Sequence, residues 1–225
     1  MTKLIIFDFD GLIIDTEVPE YQSWREVYED YGVELSLSTW IPIIGLGSES
    51  FDPCAHLQSL VNTPINPVEV KSARTPRHKA LIDAQPLLPG VEDYIADAKF
   101  LGMKLGVASS SSRKWVVGHL IRLGLAQHFD VIKCKDDVGS AKPDPASYLA
   151  VLNDLEISHE DAIALEDSVH GVQAARSAGI FCLAVPNPLT KGSDFSHASL
   201  KTESLAELNL RELLAAKESH AAQHG

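Results

Sequence analysis

Two acidic residues near the N-terminus are the first candidates for chemistry in this sequence. Asp8 and Asp10 stand in the segment F-D-F-D-G, directly after a short apolar run. Two carboxylates this close repel each other unless a cation or a shared proton offsets their charge. Mg²⁺ supplies such a cation and prefers oxygen ligands, while Gly11 lets the backbone turn sharply behind the pair. From this motif alone, an acidic loop that merely caps the next helix stays open as the alternative.

A second acidic pair, Glu166 and Asp167 in L-E-D-S, also follows an apolar run and precedes a helical pattern. The plain alternative is helix capping, with Asp167 or Ser168 as the N-cap residue. The functional interpretation is a second edge of the same metal site. It is favoured because both pairs follow predicted parallel strands, and the carboxyl ends of such strands meet where open α/β sheets bind ligands.

A serine run and a lysine loop complete the candidate set. Ser109 and Ser110 begin the run S-S-S-S after a predicted strand, where hydroxyls and free N–H groups at the start of a helix can bind an anion. Lys142 lies in the loop S-A-K-P-D-P, where it would balance the charge of the carboxylates and hold a phosphate. A serine N-cap and a solvated loop lysine are the alternatives.

The elements that must position these residues follow an alternating pattern. Short apolar runs predict buried strands at residues 3–9, 103–108, 129–134, 162–165 and 180–185. Apolar residues at helical spacing predict helices at residues 91–101, 115–125, 146–155 and 169–178. Strands that alternate with helices imply βαβ units, so the predicted fold class is α/β, with a doubly wound parallel sheet of the Rossmann-like kind.

One long segment breaks this alternation. Residues 16–85 contain no convincing strand, and their helix-like stretches cover 19–31, 49–61 and 67–84. We expect a helical cap domain of residues 16–85, inserted after the first strand, and a core domain of residues 1–15 and 86–225. The segment P-L-L-P-G at 86–90 marks the return to the core. The polar residues from Glu218 onward are expected to fray.

Composition and charge argue against several classes of function. The chain has 19 Lys and Arg against 31 Asp and Glu, a formal charge of −12, and no basic cluster, which argues against nucleic-acid or anionic-membrane partners. The three cysteines are far apart and cannot alone form a disulfide framework or a zinc site. No apolar run approaches the roughly 18 residues of a membrane span, and two carboxylates stand where a signal peptide would be apolar. We therefore expect a soluble, cytoplasmic protein.

The motifs D-x-D, Ser, Lys and E-D occur in this order, and the order is informative. In this respect the sequence resembles the haloacid dehalogenase superfamily of phosphotransferases, from Ile5 to about Pro188. It is most similar to the β-phosphoglucomutase-like phosphatase branch, which has a helical cap. The resemblance implies a Mg²⁺-dependent enzyme that hydrolyses a small phosphomonoester, such as a sugar phosphate.

The resemblance also implies a role for each candidate residue. Asp8 matches the nucleophile that accepts the phosphoryl group as an aspartyl phosphate. Asp10 matches the general acid and base, so we expect the acid proton on Asp10 and the ionised carboxylate on Asp8. The implied catalytic and phosphate-binding groups beside them are Ser109, Ser110, Lys142 and Gly11. The implied metal ligands are Asp8, Asp10 through its backbone carbonyl, Asp167, and Glu166 as a ligand or a helper beside it.

The cap should decide between a phosphatase and a phosphosugar mutase. The mutases that this chain resembles carry His where Glu20 stands here, and Lys and Arg in a cap loop that here reads G-L-G-S-E at residues 45–49. A glutamate repels a dianionic phosphate, so a bisphosphate would be poorly held unless Arg74, Arg77 or Lys79 serves instead. We therefore expect hydrolysis. A mutase is the first alternative, and a non-catalytic regulator that binds Mg²⁺ and phosphate is the second.

Partners and remaining residues complete these expectations. The expected partner is a small-molecule phosphomonoester, and the chain is expected to be a monomer or a small homo-oligomer. Tyr21, Trp24 and Trp40 are predicted to form the core of the cap, and His170 is predicted to be a surface residue of its helix.

Overall fold

A parallel β-sheet forms the centre of the molecule. The computed structural model describes residues 2–47 and 49–224, and within them six strands lie in the order β3-β2-β1-β4-β5-β6 with every pairing parallel. The strands are β1 (Leu4–Phe7), β2 (Lys104–Ala108), β3 (Val131–Lys133), β4 (Ala162–Glu166), β5 (Phe181–Ala184) and β6 (Leu200–Lys201). The α/β class with a doubly wound parallel sheet is therefore confirmed.

Helices cover both faces of this sheet and fill the segment between β1 and β2. They are α1 (Glu17–Asp30), α2 (Leu37–Trp40), α3 (Pro53–Leu60), α4 (Pro67–Asp83), α5 (Val91–Phe100), α6 (Arg113–Arg122), α7 (Lys135–Val138), α8 (Ala146–Leu155), α9 (Val169–Ser177) and α10 (Leu210–His224). Each predicted helix is present, with bounds that differ from the prediction by a few residues.

Apolar residues on both faces explain why the central strands are buried. All residues of β1 and β4 are buried, as expected for parallel strands that helices cover on both sides. Ile5 and Phe7 pack in a hydrophobic cluster with residues of α5, α6 and α10, whereas Leu4 and Ile6 pack in another with residues of α8 and α9. The polar candidate residues are left at the strand ends.

The C-terminus departs from the prediction. The expected fraying from Glu218 is wrong, because α10 continues to His224; Gly225 lies outside the described residues. Leu210 and Leu213 of this helix are completely buried in the core. The described polar side chains of the helix lie on its other, exposed face. A prediction from composition misses the helix because only a narrow stripe of its surface is apolar and buried. The two-residue strand β6 was also too short to predict.

The helices of residues 16–85, called the cap segment below, bury a hydrophobic cluster of their own. Trp24 and Trp40 are buried in it and Tyr21 packs against it, which confirms their prediction as cap core. The segment rejoins the core where the Leu88 N–H donates to the Ile13 carbonyl (2.9 Å). The domain boundaries after residues 15 and 85 stay a prediction. Ser48 of the predicted cap loop lies outside the described residues.

Two further expectations from composition can be compared with the structure. In the described parts of the chain, no helix has both the length and the apolar character that crossing a bilayer requires. Cys54, Cys134 and Cys182 are buried free thiols, each in a different hydrophobic cluster. They therefore act as small apolar residues.

Gly106 in β2 lies too close to α8 to carry a side chain. A Cβ at this position would lie 2.7 Å from Cγ1 of Val151. We expect Gly106→Ala to lower the free energy of unfolding by about 1–3 kcal/mol, because a packed core must shift to relieve the overlap. In the matched control Gly118→Ala, on α6, no described atom outside the helix backbone lies within 4 Å of the new Cβ. That variant should gain up to about 1 kcal/mol. Urea unfolding measures both, and equal stabilities would contradict the packing described.

Candidate active site

The ends of the central strands bring the candidate residues to one edge of the sheet. Phe7 is in register with Leu165 and with its neighbour in β2, so β1, β2 and β4 end side by side. Asp8 follows β1, and its backbone N–H donates to the Leu165 carbonyl (2.9 Å). Glu166 is the last residue of β4, and Lys142 reaches the same place from the loop between α7 and α8. The topology therefore assembles groups from distant parts of the chain.

Lys142 places a buried ammonium between two buried carboxylates. Its Nζ lies 2.6 Å from Asp8 Oδ1 and 2.6 Å from Glu166 Oε1. The hydroxyl of Tyr148, on α8, donates to the same Glu166 oxygen. Burial acts against the ammonium, but the two carboxylates outweigh it and raise the pKa of Lys142 above its usual value. The lysine is therefore charged throughout the physiological pH range.

Burial also affects the acidic groups. It raises the pKa of Asp8 to about 7, although the Lys142 ammonium opposes the shift. Burial, together with the carboxylates of Asp8 and Glu17, raises the pKa of Asp167 well above its usual value. This departs from the expectation that Asp8 ionises readily. A divalent cation beside these groups would favour their charged forms and restore that expectation.

Asp8, Glu166 and Asp167 form a cluster that fits a hard divalent cation. Each offers a carboxylate oxygen, and these three atoms lie within 4.8 Å of one another. A bound divalent cation would favour the ionised form of all three carboxylates, and Lys142 would then neutralise one of the three charges and leave the cluster net negative. Asn187 Nδ2 donates to Asp167 Oδ2 (2.6 Å) and fixes its orientation. Oxygen donors with residual negative charge suit Mg²⁺.

Two glycines leave room for these carboxylates. A Cβ on Gly11, whose φ is +74°, would lie 2.0 Å from Asp167 Oδ2, and a Cβ on Gly171 would lie 1.9 Å from Glu166 Oε2. A side chain at either position would displace a carboxylate of the cluster. The structure thus places Gly11 against the second acidic pair, and its expected phosphate-binding role stays a proposal.

Asp10 is directed toward hydroxyl groups and an indole instead. Its Oδ1 accepts from Thr16 Oγ1 (2.9 Å) and from Trp115 Nε1 (2.8 Å). Its Oδ2 accepts from Ser111 Oγ (2.6 Å) and, at the longer distance of 3.4 Å, from Ser109 Oγ. The two aspartates of D-x-D therefore face different partners, and two hydroxyls of the serine run face Asp10.

The cap segment contacts the core beside these residues. Ser110 Oγ donates to the Gly45 carbonyl (3.0 Å) and accepts from the Lys142 N–H (3.1 Å). The phosphate-binding role expected of Ser110 stays a proposal. His170 Nε2 lies 2.9 Å from the Pro42 carbonyl oxygen. The prediction of His170 as a surface residue is wrong, because this half-buried side chain connects α9 to the cap segment.

A cavity of about 940 Å³ lies between the cap segment and the strand ends, large enough for a small phosphorylated metabolite. Asp8, Asp10 and Lys142 line its core side. Glu49 of the cap loop also lines it and forms an ion pair with Lys135 of the core. Five of the candidate residues therefore line one cavity that has charged groups on both sides: Asp8, Asp10, Ser109, Ser110 and Lys142.

Glu20 holds Arg74 and His78 on the cap side of the cavity. Its carboxylate forms an ion pair with Arg74, and its Oε2 lies 2.7 Å from His78 Nε2. The Trp24 N–H donates to its other oxygen (3.0 Å). Burial opposes ionisation of Glu20, but His78 and Arg74 outweigh it and lower the pKa of Glu20. The Arg74 charge is thus offset inside the cavity.

The other two basic residues proposed as phosphate ligands do not line the cavity. Arg77 pairs with Asp30 at 3.2 Å, and Lys79 pairs with Asp83. These four side chains are substantially exposed, so they form a solvated helix face. Of the three alternatives considered for a second phosphate, Arg74 alone is in position.

Several residues that contact the candidate site were not found from the sequence. The residues missed are Thr16, Glu17, Ser111, Trp115, Tyr148, Asn187 and Thr190. Thr16 and Ser111 lie next to recognised motifs and adjacency could have suggested them. The others reach the site through tertiary contacts and carry no local signal.

A comparison with known proteins identifies the family. The model of the haloacid dehalogenase-like hydrolase family matches residues 5–185. The chain belongs to this family. The matched range contains the positions of all the candidate residues, from Asp8 to Asp167.

Two relatives cover nearly the whole hydrolase. It is 42% identical to YhcW of Bacillus subtilis over 214 residues, which are 95% of this chain and 97% of that protein. It is 30% identical to hexitol phosphatase B of Escherichia coli K12 over 211 residues, which are 93% and 95% of the two chains.

Solved structures show the same architecture. CbbY from Rhodobacter sphaeroides in complex with phosphate is 31% identical, with a TM-score of 0.76 over 95% of this hydrolase and 99% of that chain. A further structure of CbbY contains xylulose-1,5-bisphosphate, at 30% identity and a TM-score of 0.76. β-Phosphoglucomutase from Clostridium difficile is 25% identical, with a TM-score of 0.80 over 99% and 100% of the chains.

The lysine between the two carboxylates should matter for stability. Lys142→Met leaves Asp8 and Glu166 buried without their cation, so we expect a loss of about 3–5 kcal/mol in the free energy of unfolding, measured in urea with EDTA present. The matched control is Lys104→Met, which removes an exposed ion pair with Asp130 (2.8 Å). It should cost less than about 1 kcal/mol. Equal losses in the two variants would show that the buried network is not the stabilising feature described.

Proposed function

We propose that this hydrolase is a Mg²⁺-dependent phosphatase that releases phosphate from a small phosphorylated sugar or polyol through an aspartyl phosphate on Asp8. The observation that carries the proposal is the buried Asp8 carboxylate, held by Lys142 at the wall of the cavity, with Asp10 two residues away. Nucleophile, charge-balancing cation and acid then surround one space.

In the first step, an oxygen of Asp8 attacks phosphorus and the bond from phosphorus to the substrate oxygen breaks. Asp10 gives its proton to that leaving oxygen, which departs as a neutral alcohol. Lys142 and the hydroxyl of Ser109 hold the transferring phosphoryl group, whose negative charge they offset. Asp8, Asp167, the backbone carbonyl of Asp10 and Glu166 would hold Mg²⁺, which supplies positive charge to the phosphoryl oxygens.

In the second step, water attacks the phosphorus of the aspartyl phosphate. Asp10, now ionised, takes a proton from this water, so the second step restores the proton used in the first. Phosphate leaves and Asp8 returns to a carboxylate. The cap contacts made by Ser110 and His170 support a role for the cap segment in controlling which water molecules reach the intermediate.

The cap side of the cavity favours a monophosphate with hydroxyl groups. Arg74 is already paired with Glu20, and Lys135 with Glu49, so a second dianionic phosphate that binds either of these cations would have to displace a carboxylate from it. Neutral hydroxyls can instead bond to these paired groups without separating charges. The name of the relative hexitol phosphatase B agrees with a phosphorylated polyol.

Mutase activity is the second candidate, and a specific observation supports it. The structural similarity to β-phosphoglucomutase covers 99% of this chain. Arg74 and Lys135, two cations that could bind a second phosphate, both line the cavity. In that reaction the aspartyl phosphate on Asp8 would transfer its phosphoryl group to a free hydroxyl of a sugar monophosphate. The resulting bisphosphate, bound by these cations once they part from Glu20 and Glu49, would then return its other phosphoryl group to Asp8. A purely regulatory role is less well supported, because binding alone needs neither a nucleophile nor an acid.

The nucleophile can be tested directly. Asp8→Asn should reduce Mg²⁺-dependent phosphate release from p-nitrophenyl phosphate and from sugar phosphates by about 10³-fold or more, because the amide does not attack phosphorus. Asp93→Asn, on the exposed surface of α5, is the matched control and should leave the rate unchanged. Removal of Mg²⁺ with EDTA should abolish release and added Mg²⁺ should restore it. An active Asp8→Asn variant would refute the proposed mechanism.

The charge of Glu20 should control the choice between monophosphate and bisphosphate. Glu20→Gln frees Arg74 to bind a second phosphate, so we expect the ratio of kcat/KM for a sugar bisphosphate to kcat/KM for the monophosphate to rise about tenfold. Glu26→Gln on the same helix does not alter the cavity lining and serves as the control.

The same assays should follow glucose 6-phosphate formation from β-glucose 1-phosphate. Isomerisation faster than phosphate release in the unmodified protein would identify a mutase.

A further inference from the structure

Trp115 links the proposed acid to the cap segment, and no step described above uses it. Its Nε1 lies 2.8 Å from Asp10 Oδ1. Its ring is stacked on the ring of His78, with centroids 5.7 Å apart and an interplanar angle of 6°. On another side the ring of His119 meets it edge-on at 4.3 Å. His78 belongs to α4 of the cap segment and is itself held by Glu20 at 2.7 Å.

The chemistry of an indole restricts where Asp10 can carry its proton. An indole N–H donates a hydrogen bond and never accepts one, so the oxygen that faces it must act as the acceptor. Thr16 Oγ1 also donates to this oxygen (2.9 Å). Because the carbonyl oxygen of a neutral carboxyl group accepts hydrogen bonds better than its O–H oxygen, Oδ1 keeps the two donors and the proton belongs on Oδ2. That oxygen faces the hydroxyls of Ser111 (2.6 Å) and Ser109 (3.4 Å), which can accept as well as donate. Oδ2 is also the Asp10 oxygen on the side of the serine loop, where the phosphoryl group is expected.

We propose that Trp115 is a positioning residue that makes Oδ2 of Asp10 the oxygen from which the leaving group is protonated, and that His78 of the cap segment holds the indole in place. This inference rests on the proposed role of Asp10 as the acid. The alternative is a structural role, in which Trp115 fills space between the core and the cap segment without affecting proton transfer.

A series of ring-substituted phenyl phosphates separates the two roles. These substrates share the phenyl phosphate framework and differ in the substituent on the ring. The 4-nitrophenolate leaves readily as an anion, whereas unsubstituted phenolate needs a proton. Trp115→Phe keeps an aromatic ring and removes the N–H. We expect its kcat/KM for phenyl phosphate to fall about tenfold and that for 4-nitrophenyl phosphate less than about threefold, because acid catalysis contributes little to a good leaving group. The value of kcat/KM reports the first step, in which the proton is delivered.

Two further variants keep the test decisive. Replacement of Trp115 by β-(3-benzothienyl)alanine preserves the ring system and puts sulfur in place of the N–H, so it should show the same selective loss even if Trp115→Phe folds poorly. Lys114→Ala, at an exposed neighbouring position, should match the unmodified protein with both substrates. Unchanged leaving-group dependence in the benzothienyl protein, or equal losses for both substrates, would overturn the inference.

Asp10→Asn distinguishes failure of this inference from failure of the proposed function. It should steepen the dependence on leaving group more than any change at Trp115. If Asp10→Asn shows no such dependence, Asp10 is not the acid and the proposed mechanism fails first. If Asp10→Asn steepens the dependence on leaving group and Trp115→Phe does not, the mechanism stands and the inference fails.

His78→Ala tests the link to the cap segment. Its kcat/KM for phenyl phosphate should fall about threefold, with a smaller loss for 4-nitrophenyl phosphate, and an equal loss for both substrates would contradict the link.

Discussion

The ion network of Lys142 with Asp8 and Glu166 is the constraint on which the rest of the site depends. A buried charge is costly unless opposite charges and hydrogen bonds compensate it. The ammonium meets both carboxylates at 2.6 Å, and the Tyr148 hydroxyl bonds to one of them. This arrangement requires β1 and β4 to be adjacent and in register, with the loop before α8 folded against their ends. The order of the strands and the position of the Asp8 carboxylate thus depend on the same contacts.

The sharp turn after β1 separates the tasks of the two aspartates. In a continued strand, residues two apart would point to the same face. Here the chain leaves the strand after Phe7 and turns at Gly11 with φ +74°, which directs Asp8 to the lysine and Asp10 to hydroxyls and the Trp115 indole. A carboxylate beside a buried cation suits attack on phosphorus. A carboxyl group bonded to hydroxyls and an indole N–H, with no ammonium group among its hydrogen-bond partners in the described residues, suits transfer of a proton.

The sequence predicted those candidate residues that lie at the end of a strand. Asp8, Ser109 and Glu166 could be found because short apolar runs precede them, and parallel strands end at one edge. Tyr148, Asn187 and Trp115 could not, since each lies on an element that reaches the site only through tertiary packing. His170 was misjudged for the same reason, because its partner is a carbonyl of the cap segment 128 positions away. Local patterns therefore predict the acidic groups and the serine run at the strand ends better than the residues that orient them.

In the proposed mechanism, Asp8 carries the phosphoryl group between the two steps. The most direct measurement is to quench the enzyme in acid during turnover of a phosphomonoester with Mg²⁺, reduce it with borohydride, and locate the modified residue by mass spectrometry of peptides. An aspartyl phosphate is reduced to homoserine, so the account predicts homoserine at position 8 in samples with substrate and unmodified aspartate without it. Rapid turnover without any modified residue, or a modification at another acidic residue, would contradict it.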